Sequence, residues 1–222
     1  MSEIDLLRLY PRINKARRKI SVKRSIIHRI IAAERDLDFF DGHREFGYGG
    51  LHQDFRWDLV ASDILQVLSL IDNSTVLQVN CEKGYLLNSF SHHLESNQII
   101  GTESSQYAIS QTYSKNSYNL VKSKPPNLPF KSVTFDLVIS LGNVYTLSLK
   151  EAITHLREIE RVKRRYSFVT LATYETAPQL LKFKEWSLLG NLILKRDEWK
   201  DLMKYSGYTG YYSFIDSVSL GL

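Results

Sequence analysis

Gln78, Asn80, Glu82 and Gly84 lie in "VLQVNCEKGYLL", residues 76–87, where an apolar run enters a tight turn and then a helical pattern. In α/β proteins such a turn presents the N–H groups of a helix N-terminus to a nucleotide, and glycines let the backbone come close. Here Asn80 and Glu82 stand where such turns usually carry glycine. Asn tolerates left-handed backbone, but its side chain takes volume meant for a ligand. Glu82 goes further, because a carboxylate beside a helix N-terminus satisfies the partial positive charge and free N–H groups there. The turn is therefore expected to be filled by its own side chains.

Other reactive residue types form no comparable group. His92 and His93 are adjacent, so on a helix they point about 100° apart and share no ligand face. His28, His43, His52 and His155 are scattered, no nucleophile elbow or Cys-His arrangement is present, and no metal site is expected. The single Cys81, at a strand end, is expected to pack as a small apolar residue.

The elements that position the turn follow from periodicity. Short apolar runs ("TVLQVN", "QIIGTE", "FDLVISL", "YSFVTLAT") alternate with amphipathic stretches ("YLLNSFSHHL", "SQYAISQTYSK", "LKEAITHLREIERV"). This order predicts right-handed crossovers and a mainly parallel sheet with helices on both faces, a doubly wound α/β domain. The tail adds a predicted helix "KRDEWKDLMKYSG" capped by Gly207 and an aromatic strand "YTGYYSFI".

Composition sets the remaining bounds. At 222 residues and 43% hydrophobic, the chain suits one domain with an extension. No apolar run has the roughly 18 residues of a membrane span, and neither a secretory leader nor a membrane contact is expected; the reading places the chain in the cytoplasm. Residues 1–35 hold ten basic residues against three acidic ones, +7 of the net +5, leaving −2 for the rest. Ile20, Ile26, Ile27, Ile30 and Ile31 interleave with these charges at helical spacing, which predicts a basic helical extension over 1–38 docked on a core or a partner, followed by the domain proper over 39–222. Nucleic-acid binding by this arm is the least favoured use of its charge.

Taken in order, "VLQVNCEKGYLL", "IIGTESSQYAI" and "LPFKSVTFDLVISL" resemble the class I S-adenosylmethionine-dependent methyltransferases, over roughly residues 40–215. The resemblance implies the Rossmann-like methyltransferase fold and assigns positions. Gln78 stands where the family has an acidic residue, and Asn80, Glu82 and Gly84 where it has three glycines. Glu103 matches the carboxylate that grips both ribose hydroxyls. Lys124 replaces an Asp that accepts from the adenine amino group, a donor for an acceptor. Tyr145 stands where related enzymes often carry a His near the reacting centre, and with a pKa near 10 it is a poor general base. The stretches "FGYGGLHQDFRW" and "EWKDLMKYSGYTGYYSFI" resemble a bacterial branch in which both approach the substrate mouth; Tyr48, Arg56 and Trp57 are the candidates there.

Magnitudes turn these departures into a functional expectation. Micromolar affinity is about −8 kcal/mol, whereas the altered contacts at Gln78, Asn80 with Glu82, and Lys124 sum to about 4–9 kcal/mol if additive. The expectation is weak or absent cofactor binding and a catalytically silent or regulatory subunit of a homo- or hetero-oligomer, its partner an active methyltransferase. The alternative is an active S-adenosylmethionine-dependent methyltransferase acting on a small polar or sugar-derived acceptor.

Overall fold

The computed structural model describes residues 1–10, 24–52 and 56–222. Seven strands, β1 (Ser2–Glu3), β2 (Val76–Gln78), β3 (Ile99–Glu103), β4 (Asn119–Lys122), β5 (Phe135–Ser140), β6 (Lys163–Ala172) and β7 (Tyr211–Ile215), form one sheet in the order β1-β7-β6-β5-β2-β3-β4. Every pairing is parallel. The helices are α1 (Ile26–Glu34), α2 (Leu37–Phe40), α3 (Arg56–Val67), α4 (Tyr85–Phe90), α5 (Gln106–Ser110), α6 (Leu149–Val162), α7 (Ala177–Trp186) and α8 (Arg196–Ser206). The expected doubly wound fold is what the chain adopts.

Burial explains the layers. All six residues of β5, "FDLVIS", are buried, as a central strand covered on both faces requires. One core, with Leu77, Val138, Leu156, Ile159 and Trp199, lies under α6 and α8; a second, with Val60, Ile64, Leu86, Phe90 and Ile139, lies under α3 and α4. Helix α6 starts at a capping box in which Glu151 N–H donates to Ser148 Oγ and Ser148 N–H to the Glu151 carboxylate. It buries Ala152, His155, Leu156, Ile159 and Val162, one helical stripe. Helix α8 ends as expected at Gly207, in left-handed conformation with φ 78°.

The chain runs outward from β2 to β4, then returns to β5 beside β2 and proceeds outward the other way. The β2–β5 boundary is thus the topological switch point, above whose carboxyl ends a crevice opens.

Within residues 1–38 the described part holds a short strand and the helix α1. Ser2–Glu3 pairs with Tyr211–Tyr212 as an edge strand, and Leu6 enters the second core. Ile20 lies outside the described residues. In α1, Ile26, Ile27 and Ile30 are 67%, 58% and 52% exposed, so that apolar face does not dock on this chain's core. Arg29 instead anchors the helix, donating to the carbonyls of Lys184, Ser187 and Leu188.

Candidate functional site

The turn after β2 keeps glycine-like backbone without the glycines. Asn80, Glu82 and Gly84 have φ of 53°, 58° and 77°. Left-handed conformation costs an ordinary residue roughly 1–2 kcal/mol, so something must hold it. Asn80 N–H donates to Thr102 Oγ1, Cys81 N–H to the Thr102 carbonyl and Glu82 N–H to Glu103 Oε2 at 2.7 Å. Gly84 has no substitute, because a Cβ there would collide with the Tyr118 hydroxyl. Cys81 is buried, which pushes its thiol well above the usual range and suits the expected packing role.

Glu103 is fully buried, and its acceptor capacity is engaged from within. Oε2 accepts from Glu82 N–H, and Oε1 from the N–H groups of Ser104 and Ser105, both at 2.8 Å, and from Ser104 Oγ at 3.3 Å. An ionised carboxylate has about four lone-pair sites. Arg35 Nη2 lies 3.8 Å from this carboxylate and 3.8 Å from that of Glu82. The Asn80 amide has two alternative arrangements: its Nδ2 donates to Asn143 Oδ1 at 2.8 Å, or, with its oxygen toward Arg35, it accepts from Nη2 at 3.1 Å and donates to Glu103 Oε1 at 3.2 Å.

Arg35 reaches this position because α1 stops there. As C-cap it has φ 51°, its N–H bonded to the Ala32 carbonyl, and its guanidinium lies over the rings of Phe39 and Phe40. The following loop closes over the turn through three further contacts. Tyr48 OH donates to Glu82 Oε1 at 2.6 Å; Lys83 Nζ reaches both Asp41 oxygens at 2.6 Å and the Leu51 carbonyl at 3.0 Å; Tyr107 OH donates to Asp41 Oδ2 at 2.6 Å. Burial raises the Asp41 carboxyl, but the Lys83 and Tyr107 hydrogen bonds outweigh it and leave the pKa lowered. At Glu82 burial prevails over Arg35 and Tyr48, and the pKa is raised.

On the β5 side of the crevice lies a pocket of about 150 Å³, bordered by Arg24, Arg35, Arg44, Tyr48, Glu82, Asn143, Tyr145 and Trp186 among others. Small-molecule sites usually span roughly 300–1,000 Å³. Tyr145 is buried in the turn Val144–Thr146; burial, then the Glu82 charge, push its hydroxyl up to about 12.

The structure thus gathers Asn80, Glu82, Gly84, Glu103, Tyr48 and Tyr145 around one crevice. Gln78 ends β2 buried, its Oε1 without a partner. Lys124 is exposed after β4, where its charge acts on Glu151. Arg56 and Trp57 do not border the pocket; they pack on Tyr10, Arg56 5.1 Å above the ring and Trp57 with centroids 4.5 Å apart. Sequence reasoning missed Arg35, Asp41, Lys83 and Asn143 as site residues. For Arg35 the signal available was the run of charged residues beside aromatics in "ERDLDFF". Among the described residues no group of His, Cys, Asp and Glu fits a metal ion, and no helix is long and apolar enough to cross a membrane.

Comparison with known proteins agrees with the fold. Residues 76–165 match the family model described as a methyltransferase domain, which bears out the resemblance to the class I enzymes. No curated protein sequence matches the chain. The YcgJ protein from Bacillus subtilis superposes with a TM-score of 0.55 at 14% identity, covering 66% of each chain. A Haloferax volcanii protein solved in complex with the Trm112 methyltransferase activator gives 0.52 at 15%, covering 71% of this chain and 77% of that one. The [4+2]-cyclase SpnF gives 0.53 at 16%, covering 68% and 56%. The chain therefore spans about two thirds of the length of the first of these neighbours.

Proposed function

We propose that this chain, built on the class I methyltransferase fold, is a catalytically silent or regulatory partner subunit of an active methyltransferase, its own cofactor cleft occupied by its own side chains. The observation that carries this reading is the position of Arg35 between the Glu82 and Glu103 carboxylates. A ribose grip needs free acceptor sites on Glu103, and three backbone N–H groups already use them. The residues present do not fit a nucleoside sulfonium as they stand. Displacing Arg35 would remove the cation that lies 3.8 Å from two carboxylates, one of them fully buried. The exposed isoleucines of α1 support a protein partner, as does the pairing of the Haloferax protein with an activator. Fold alone does not fix chemistry, since a cyclase shares this architecture.

Calorimetry of the purified chain with S-adenosylmethionine and S-adenosylhomocysteine tests the reading. The expected result is no saturable heat at micromolar concentration, with binding gained in a combined Arg35→Ala, Asn80→Gly, Glu82→Gly variant. A micromolar isotherm from the unaltered chain would overturn it. Raised turnover of a co-purifying methyltransferase on adding the chain checks the partner role.

One observation favours the alternative of an active enzyme on a small polar or sugar-derived acceptor: φ remains positive at residues 80, 82 and 84, the backbone that a close-approaching ligand needs. In that case the unaltered chain binds the cofactor and Glu103→Ala abolishes both binding and turnover.

A further inference from the structure

Among the described residues, three buried side-chain nitrogens have no hydrogen-bond partner: Arg24 Nε, Arg35 Nε and Trp186 Nε1. All three belong to residues that border the pocket on the β5 side of the crevice. Buried polar groups are seldom left unsatisfied, because each costs roughly 1–3 kcal/mol, and each of these is a donor only. Their shared deficit is an acceptor.

The charge around the pocket points the same way. Among the described residues its border holds the guanidinium groups of Arg24 and Arg35, and its carboxylate, Glu82, already takes the Tyr48 hydroxyl. Burial, then the like charges of Arg44 and Arg29, lower the Arg24 guanidinium to about 10, so cation is gathered here against its own repulsion. Phe39, Leu141, Leu188 and Leu189 complete the wall with apolar surface.

We propose that this pocket binds a small organic anion, a carboxylate or phosphate monoester on a compact apolar body, with the anionic head toward Arg24, Arg35 and Trp186. Guanidinium forks match both head groups, and a volume of about 150 Å³ admits a body of single-ring size rather than a nucleotide. The inference goes beyond the proposed function; the two share Arg35, and Arg24 and Trp186, which lie outside the turn after β2, test the pocket separately.

Titration of the full chain with benzoate, phenyl phosphate and inorganic phosphate, followed by calorimetry, tests it. Benzoate or phenyl phosphate should saturate, and the tighter of the two identifies the head group. Arg24→Gln should weaken that binding about tenfold or more, Trp186→Phe should weaken it several-fold, and both variants should melt close to the unaltered chain. Absence of saturation by either organic anion up to roughly 10 mM would overturn the proposal, as would equal affinity in both variants. Inorganic phosphate binding as tightly as phenyl phosphate would overturn the organic body. A parallel S-adenosylmethionine titration of the same variants keeps this result separate from that of the cofactor cleft.

Discussion

The two flanks of the crevice are finished to different degrees. On the β3 flank Asn80, Glu82, Lys83 and Glu103 all have partners, several drawn from residues 35–51. On the β5 flank, donors of Arg24, Arg35 and Trp186 lack acceptors. Simple erosion of a ligand site would leave gaps where contacts were lost. On the β3 flank Asn80 and Glu82 instead join Arg35, Tyr48 and Glu103 in one polar network, with Gln78 Oε1 at the end of β2 left outside it. The unmatched donors lie on the other flank.

The sharpest way to break this comparison is to open the closed network. Lys83 is 7% exposed and meets Asp41 at 2.6 Å, so Lys83→Met removes the cation and leaves a partly buried carboxylate. A loss of about 3–5 kcal/mol is expected, read from urea unfolding at pH 7, with part of it recovered when Asp41→Asn is added. A loss below about 1 kcal/mol would mean that the pair behaves as a surface salt bridge and the flank is not closed.

Acid gives the next effect, and it probes the ground beneath the β5 flank. His155 is fully buried, with Nε2 3.2 Å from Ser140 Oγ and Nδ1 3.2 Å from the Pro126 carbonyl. Burial lowers its pKa from 6.5 to about 4. Because the folded value lies below the unfolded one, the contribution is fully present above pH 6.5 and is lost as pH falls toward 4. The difference is about 3 kcal/mol. The Asp41 carboxyl is held below its ordinary value of 3.8 and so titrates beneath this window; the diagnostic result is a flatter stability profile between pH 6.5 and 4 in His155→Gln.

The sheet was legible because its strands are continuous apolar runs set between helical patterns; "FDLVIS" reads as a covered central strand and is one. Two strands escaped. β4, "NLVK", is a short edge strand with exposed ends, and Ser2–Glu3 is held by backbone pairing with β7, which no side-chain pattern announces. Within the site, Asn80 and Glu82 were visible as departures from glycine, and Glu103 from its place at a strand end. Arg35 was not, since its role depends on α1 stopping in left-handed conformation and the chain folding back across the turn. Arg56 and Trp57, expected at the mouth, pack on Tyr10, a contact between residues far apart in sequence. Periodicity reports elements, whereas loop closure joins residues far apart in sequence and leaves little local trace.

The smallest effect is the most discriminating. Replacing a buried tryptophan usually costs stability twice, through lost packing and through the stranded partner of its N–H. Trp186 Nε1 has no partner to strand, and the Phe183 ring 5.8 Å away still has an aromatic neighbour after Trp186→Phe. The loss should therefore stay within about 1 kcal/mol, and deleting an unsatisfied donor offsets part of the lost ring area. Lys83→Met on the opposite flank should cost several times more, although both side chains border the same crevice. If the two variants destabilised the chain equally in thermal melts, the Trp186 N–H would have to hold an acceptor already, and the contrast between a filled flank and an open one would fail.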